Sequence, residues 1–238
     1  MNIGLIFAGG VGSRMHSKDL PKQFLRIYDR PIIVHTIEHF EKNTLIDAVV
    51  VVCVAEWIDY FKKLADQYHL TKIAKIVPGG ATGQLSIYNG LLAAKEIAKE
   101  EKSIVLIHDG VRPLINSDLL TQNIECVQKH GSSITSGIVK ETIVEIDDNG
   151  AIKLVPDRAH SRVAKAPQCF WLNDILAAHE RIRARPEGYC DMVDQATIFW
   201  TLGIPIHLVP GNRGNVKITT REDIIMLDAL LRDRALNV

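Results

Sequence analysis

Several cations in this sequence stand beside glycine or proline in ways that suit phosphate chemistry. The run Gly9-Gly10-Val11-Gly12-Ser13-Arg14-Met15 follows directly on an apolar stretch that ends at Phe7-Ala8. Glycines permit positive φ and let the backbone come close to a ligand, so successive N–H groups can point at phosphate oxygens. A tight strand-to-helix turn is the plainer use of such a run. A dinucleotide-binding turn fits poorly, because Met15 stands where G-x-G-x-x-G needs its third glycine, and no acid ends the next strand, where Val52-Cys53-Val54 leads into Ala55. The G-x-x-x-x-G-K-[ST] spacing is also missing. A glycine loop carrying Arg14 therefore points to neutralisation of a triphosphate. Lys22, in Leu20-Pro21-Lys22-Gln23-Phe24, offers a second point charge for β- and γ-phosphates.

Other residues have both an ordinary and a chemical reading. Asp109 and Arg112, in His108-Asp109-Gly110-Val111-Arg112-Pro113, either pair with each other or shape a phosphate pocket. Ser86 sits near a helix start, where serine commonly caps. Thr142, Arg158 and Lys217 are separately unremarkable. His35 and His39 have the i, i+4 spacing of zinc ligands but no third ligand nearby, and read as helix residues. Cys53, Cys126, Cys169 and Cys190 are scattered, so neither a disulfide framework nor a zinc site is expected. Asp147-Asp148 belongs to a turn.

The elements that must position these groups alternate. Asn2–Ala8, Ala48–Val54, Ile73–Val77 and Ser103–His108 read as strands. Pro31–Lys42, Glu56–Tyr68, Leu85–Glu101 and Asp118–Lys129 read as helices. That order predicts an α/β fold, a mostly parallel Rossmann-like sheet flanked by helices, with ligands beyond the C-terminal strand ends. Glu141 to Val155, with Asn149-Gly150 between alternating stretches, predicts a hairpin over about 141–156 that projects as an arm. Helices around Leu172–Arg183 and Asp191–Leu202, a strand at Ile204–Val209 and a helix from Arg221 to Leu236 complete one domain over 1–238. Lys+Arg 28 balance Asp+Glu 28, so no basic field for nucleic acid exists, and a bound anion must be met by a few placed cations. Without a signal peptide or a membrane-length apolar run, the expected location is the cytoplasm.

The combination A-G-G-x-G-S-R-M…P-K-Q-F, with His108 to Pro113, Pro167-Gln168 and Asn215-Val216-Lys217-Ile218-Thr219, resembles the nucleotidyltransferases that make CDP-alcohols. These include the 2-C-methylerythritol 4-phosphate and the ribitol 5-phosphate cytidylyltransferases. The resemblance implies CTP as co-substrate, Mg²⁺ or another divalent cation, a polyol phosphate acceptor and a homodimer formed through the arm. It assigns Ala8, Gly9, Gly10, Gly12 and Ser13 to the nucleotide, Gly79, Gly80 and Ser86 to the cytidine side, and Asp109 with Arg112 to the metal–phosphate region. Arg14, Lys22 and Lys217 become the catalytic cations. Thr142 and Arg158, reaching from the neighbouring subunit, join Lys217 on the acceptor phosphate. Two positions depart from the family pattern: Gly83 replaces an arginine and Ala166 replaces a threonine. The words Phe7 to Gly10, His35 to Phe40, Val111 to Pro113 and Lys217 to Thr220 look more like the ribitol branch. The 2-C-methylerythritol branch, a nucleotide-binding regulator without catalysis and an NAD-dependent oxidoreductase are the rival readings.

Overall fold

The structure is a computed structural model that describes residues 1–9, 20–99 and 101–236. In chain order the described elements are β1 (Asn2–Ala8), β2 (Arg26–Ile27), β3 (Arg30–Pro31), α1 (Ile32–Lys42), β4 (Ala48–Cys53), α2 (Ile58–Gln67), β5 (Ile73–Pro78), α3 (Gly83–Ile97), β6 (Ile104–Asp109), α4 (Ser117–His130) and β7 (Ser132–Ile138). They continue with β8 (Glu145–Ile146), β9 (Ile152–Leu154), β10 (Arg162–Trp171), α5 (Leu172–Arg183), α6 (Gln195–Thr201), β11 (Leu208–Pro210) and α7 (Arg221–Leu236). Seven strands form one sheet in the order β11-β7-β10-β6-β1-β4-β5. All pairings are parallel except those of β10, which runs antiparallel to both β6 and β7.

Period-two alternation in the strands divides the core into two layers. Ile6 of β1, Val49 and Val51 of β4 and Leu106 of β6 face α1, α2 and α4. Their neighbours Leu5, Val50, Val105 and Ile107 face α3, α5 and α6. Strands buried on both faces read as unbroken apolar runs, which is why Val49 to Val52 carry no polar residue. α7 packs separately, with Leu227 against Ile27, Ile32, Val111 and Ile218.

The chain runs from β1 outward to β4 and β5, then returns to the other side of β1 as β6. The carboxyl ends of β1 and β6 thus flank a topological switch point, where open α/β sheets leave a crevice for ligands. Phe7 lies opposite Asp109 across that pair of strands.

The mostly parallel sheet is as expected, and several local expectations need correction. Neither β7 nor β10 is foreseen, because Ser132-Ser133-Ile134-Thr135-Ser136-Gly137 is polar and β10 contains Pro167. The polar side chains of β7 are buried but partnered: Ser133 donates to Asn123 Oδ1 at 2.5 Å and Thr135 to the Pro167 carbonyl at 2.8 Å. The helix expected over Asp191–Leu202 starts only at Gln195, where Asp194 caps it by accepting from Thr197 N at 2.8 Å. The strand expected at Ile204–Val209 is confined to Leu208–Pro210. The hairpin exists as a separate two-stranded sheet, β8 with β9, but is shorter than its apolar alternation suggests and leaves Thr142 outside any strand.

Candidate active site

A cleft of about 460 Å³ opens at the switch point, with Asp109 and Phe7 at its floor. Asp109 ends β6 and is buried. Arg112 Nε donates to its Oδ2 at 2.6 Å, and Lys217 Nζ stands 2.6 Å from its Oδ1. Burial pushes the Asp109 carboxyl up, yet the charges of Arg112 and Lys217 outweigh that and hold it below the usual carboxylate range. It is therefore ionised at neutral pH. Lys217 reaches it because Ile218 N donates to Val111 O at 2.9 Å, which ties the two segments together. His108 supports the turn from behind. Fully buried, its pKa falls to about 3, and the neutral ring meets Arg112 O through Nε2 at 3.2 Å.

The Pro21-Lys22-Gln23-Phe24 segment is fixed residue by residue. Phe24 is buried among Trp57, Tyr60 and Phe61, with ring centroids 5.6, 5.2 and 6.4 Å away. Gln23 donates to Ala8 O at 2.7 Å, and Lys22 Nζ donates to Ile218 O at 3.1 Å. The lysine is thereby tethered to the strand of chain that carries Lys217.

On the other flank, the structure brings Gly9, Gly79, Gly80 and Ser86 into one corner. Ser86 Oγ accepts from Gly80 N at 3.0 Å and donates to Thr82 O at 2.8 Å. Cβ atoms added at Gly9 and Gly79 would stand 3.3 and 3.1 Å from Ser86 Oγ, and one at Gly80 2.6 Å from Leu85 Cβ, so this corner is closely packed around bare backbone. Ser86 is not the cap of α3. Thr82 is, accepting from Leu85 N at 3.2 Å, which leaves Ser86 in the first turn. Gly83 also lines the cleft, and a Cβ there would meet nothing within 4 Å.

A further wall comes from β10 and the 189–195 segment, which sequence reasoning missed. The register of β10 against β7 shifts between Lys165 and Gln168, and both residues line the cleft although they stand three apart. Regular alternation would send them to opposite faces. Gln168 holds the start of α6, accepting from Gln195 N and Ala196 N at 2.9 and 3.2 Å while donating to Asp194 at 2.8 Å. Behind it runs a directed chain. Gln195 Nε2 donates to Gln84 Oε1 at 3.0 Å, so its Oε1 accepts from His179 Nε2 at 2.6 Å. His179 Nδ1 must then accept from the Tyr189 hydroxyl at 2.6 Å. Burial lowers the His179 pKa to about 4 and raises that of Tyr189 to about 12, so both stay neutral. Gln84 closes the chain on Met192 O at 2.8 Å. The only early signals for this wall were Pro167-Gln168 and Ala166, since His179, Tyr189 and Gln195 lie in stretches with no recognisable spacing.

Of the residues expected at the site, Asp109, Arg112 and Lys217 line the cleft, Gly9, Gly79, Gly80 and Ser86 meet in the glycine corner, Ala8 O accepts from Gln23, and Lys22 is tied to Ile218 O. Gly10, Gly12, Ser13 and Arg14 lie outside the described residues. Thr142 and Arg158 do not join Lys217 within the chain. Both are exposed beside the hairpin, with Arg158 donating to Lys140 O at 3.3 Å. His35 and His39 place a ring nitrogen on Ile27 O and Pro113 O, as ordinary helix residues do. Among the described residues no three His, Cys, Asp or Glu side chains form a metal cage. A divalent cation here would rely on Asp109, whose carboxylate has about four lone-pair sites of which the two cations take two. That suits Mg²⁺, which draws its remaining ligands from phosphate and water.

The family model described as IspD, 2-C-methyl-D-erythritol 4-phosphate cytidylyltransferase, matches residues 3–233. A ribitol-5-phosphate cytidylyltransferase of Streptococcus agalactiae serotype V is 48% identical over 230 residues, which are 97% of this chain and 95% of that protein. A 2-C-methyl-D-erythritol 4-phosphate cytidylyltransferase of Clostridium botulinum is 34% identical over 97% of both chains. Among solved structures, the 4-diphosphocytidyl-2C-methyl-D-erythritol synthase of Anaerococcus prevotii superposes with a TM-score of 0.83 at 27% identity, covering 97% of this chain and 96% of the other.

Proposed function

The chain belongs to the 2-C-methyl-D-erythritol 4-phosphate cytidylyltransferase family, and from that premise we propose that it transfers CMP from CTP to a pentitol phosphate, ribitol 5-phosphate foremost. The products are the CDP-alcohol and pyrophosphate. The observation that carries this reading is the pair of cations, Arg112 and Lys217, seated on buried Asp109 at the switch point, with the bare corner of Gly9, Gly79, Gly80 and Ser86 on one side.

The reaction is an in-line displacement. An acceptor phosphate oxygen attacks the α-phosphorus of CTP and pyrophosphate leaves. A phosphate monoester loses its second proton near pH 6, so the nucleophile is already a dianion at neutral pH and no general base is needed. The task of the site is to bring two polyanions together and to stabilise charge at the α-phosphate. Arg14 and Lys22 act on the nucleotide phosphates, and Lys217 spans nucleotide and acceptor. Asp109 keeps Arg112 and Lys217 in place. When bound, Mg²⁺ at Asp109 supplies further charge neutralisation for the triphosphate.

The whole chain acts as one domain, and its hairpin serves as a dimerisation arm. Ile138, Ile146, Ile152, Leu154 and Val155 are all more than half exposed around it, a run of apolar surface that suits burial against a second copy. Thr142 and Arg158 would then reach the acceptor phosphate in the neighbour's cleft. A CTP-consuming enzyme belongs in the cytoplasm, and no helix among the described residues is long and apolar enough to cross a membrane.

Ribitol 5-phosphate is preferred over 2-C-methylerythritol 4-phosphate by the higher identity to the S. agalactiae enzyme, 48% against 34%. The deciding experiment is pyrophosphate release from CTP and Mg²⁺ across a panel of polyol phosphates. Turnover fastest with ribitol 5-phosphate is expected. Turnover only with 2-C-methylerythritol 4-phosphate selects the other branch. CTP binding without turnover on any acceptor marks a regulator and refutes the assignment.

A further inference from the structure

We propose that Lys165 is a substrate-binding cation of this cleft, presented to the phosphate monoester of the acceptor. The inference deepens the function proposed above and rests on it. Lys165 lies on β10 opposite Thr135, just before the register shift, and lines the cleft. Its stem runs over the backbone of Gly137. A Cβ at that position would stand 2.7 Å from Lys165 Cε and 3.3 Å from Nζ. The missing side chain at 137 is thus the space that the lysine occupies.

The head of the side chain is held without being neutralised. Lys165 Nζ donates to Asn215 O at 2.9 Å. Asn215 is itself buried and anchored, donating to Ala166 O at 2.6 Å and accepting from Arg112 at 3.4 Å. Among the described residues Lys165 meets no carboxylate. An ammonium carries three donors, so two remain for a ligand. Arg112 and Lys217 already share Asp109. Asp194, the other carboxylate of the lining, is engaged by Gln168 and Thr197, so Lys165 is the cation of this lining left to meet an arriving anion. Partial burial together with the nearby charges of Arg112 and Lys140 lowers the pKa of Lys165. An arriving anion would relieve that repulsion.

The sheet order selects the acceptor rather than the nucleotide. Gly79 follows β5, at one edge, while Lys165 lies on β10, beyond β6 and Asp109. Four strand spacings separate β5 from β10, about 19 Å at about 4.8 Å each. Asp109 stands between, so a nucleotide whose base lies in the glycine corner presents its phosphates at the centre. Lys165 then faces what attacks from the far side.

The test is steady-state pyrophosphate release with CTP and ribitol 5-phosphate. Lys165→Met keeps the stem over Gly137 and removes the charge. It should raise the acceptor KM at least about tenfold while leaving the CTP KM within about twofold. Lys165→Arg should retain most acceptor affinity. Gly137→Ala forces the flexible end of Lys165 aside and should also raise the acceptor KM. In Lys165→Met/Gly137→Ala the second change should add nothing, since both act through one ammonium. An unchanged acceptor KM in Lys165→Met, a rise confined to the CTP KM, or additive effects in the double variant would overturn the inference and leave the proposed function standing. A wild-type chain silent with every polyol phosphate overturns both.

Discussion

Replacing Lys217 with methionine separates two contributions of one ammonium group. Lys217 Nζ and Arg112 Nε each stand 2.6 Å from a different oxygen of Asp109. Methionine keeps most of the stem and deletes the charge. Asp109 then remains buried with Arg112 alone. A hydrogen bond to a charged group is worth roughly 1.5–3 kcal/mol. Lys217 is 41% exposed, so water replaces part of what is lost, and the expected destabilisation is at the low end, about 1.5 kcal/mol. The catalytic loss should be larger. Removing one preorganised donor aimed at developing charge costs about 10²–10³ in kcat, roughly 2.7–4 kcal/mol of barrier. Adding Asp109→Asn removes the under-compensated carboxylate, so the urea midpoint should recover most of the loss while turnover stays low. The acid side of the activity profile should also move. The charge of Lys217 helps depress the Asp109 pKa, so ionised Asp109 is lost only as pH falls through that depressed value. Without Lys217 the loss begins at a higher pH. Pyrophosphate release and urea unfolding measure both effects. A Lys217→Met enzyme within tenfold of wild-type kcat, or a double variant that regains turnover, would refute the assignment of Lys217 to the reaction.

Lys22→Ala should cut turnover about 10²-fold with an unchanged urea midpoint, because Gln23 and Phe24 still hold the segment; near-normal turnover would remove Lys22 from the phosphate site. Gly83→Arg places a cation at the cleft edge where a Cβ meets nothing. It should lower the CTP KM by about threefold to tenfold, and a raised CTP KM would mean that this edge does not face the nucleotide. Buried neutral His179, with its pKa near 4, should make the protein acid-labile. Its folded pKa lies below the unfolded value of about 6.5, so the unfolded chain binds the extra proton, and stability falls as pH drops from about 6.5 to 4 by on the order of 3 kcal/mol. His108, with a pKa near 3, adds to the same trend. A urea midpoint that stays flat between pH 7 and 5 would contradict these environments.

The parts of the fold visible in the sequence were those in which a local pattern and the tertiary environment agree. β1, β4 and β6 are buried on both faces, so their apolar runs declare them. β7 hides because its burial is satisfied by hydroxyls bonded to Asn123 and Pro167 O, and hydroxyl-rich runs read as loop. The same division holds at the site. Asp109, Arg112 and Lys217 sit in short motifs next to glycine or proline. Lys165 also stands close to a proline, Pro167, but the partners that place its side chain, Gly137 and Asn215, lie 28 residues before it and 50 after it. The hairpin was over-extended because Ile143, Val144 and Val155 alternate like strand residues, yet within one chain they have no surface to pack on.

The directed chain behind the 189–195 wall also sets what kind of molecule that wall can greet. The phenolic proton of Tyr189 is committed to His179, because every link from Met192 O back through Gln84 and Gln195 fixes the direction of the next. Toward the cleft, Tyr189 therefore offers only lone pairs. A ligand hydroxyl that meets the phenolic oxygen must therefore donate to it. The wall thus meets any ligand with the donor and acceptor roles of its phenol already assigned.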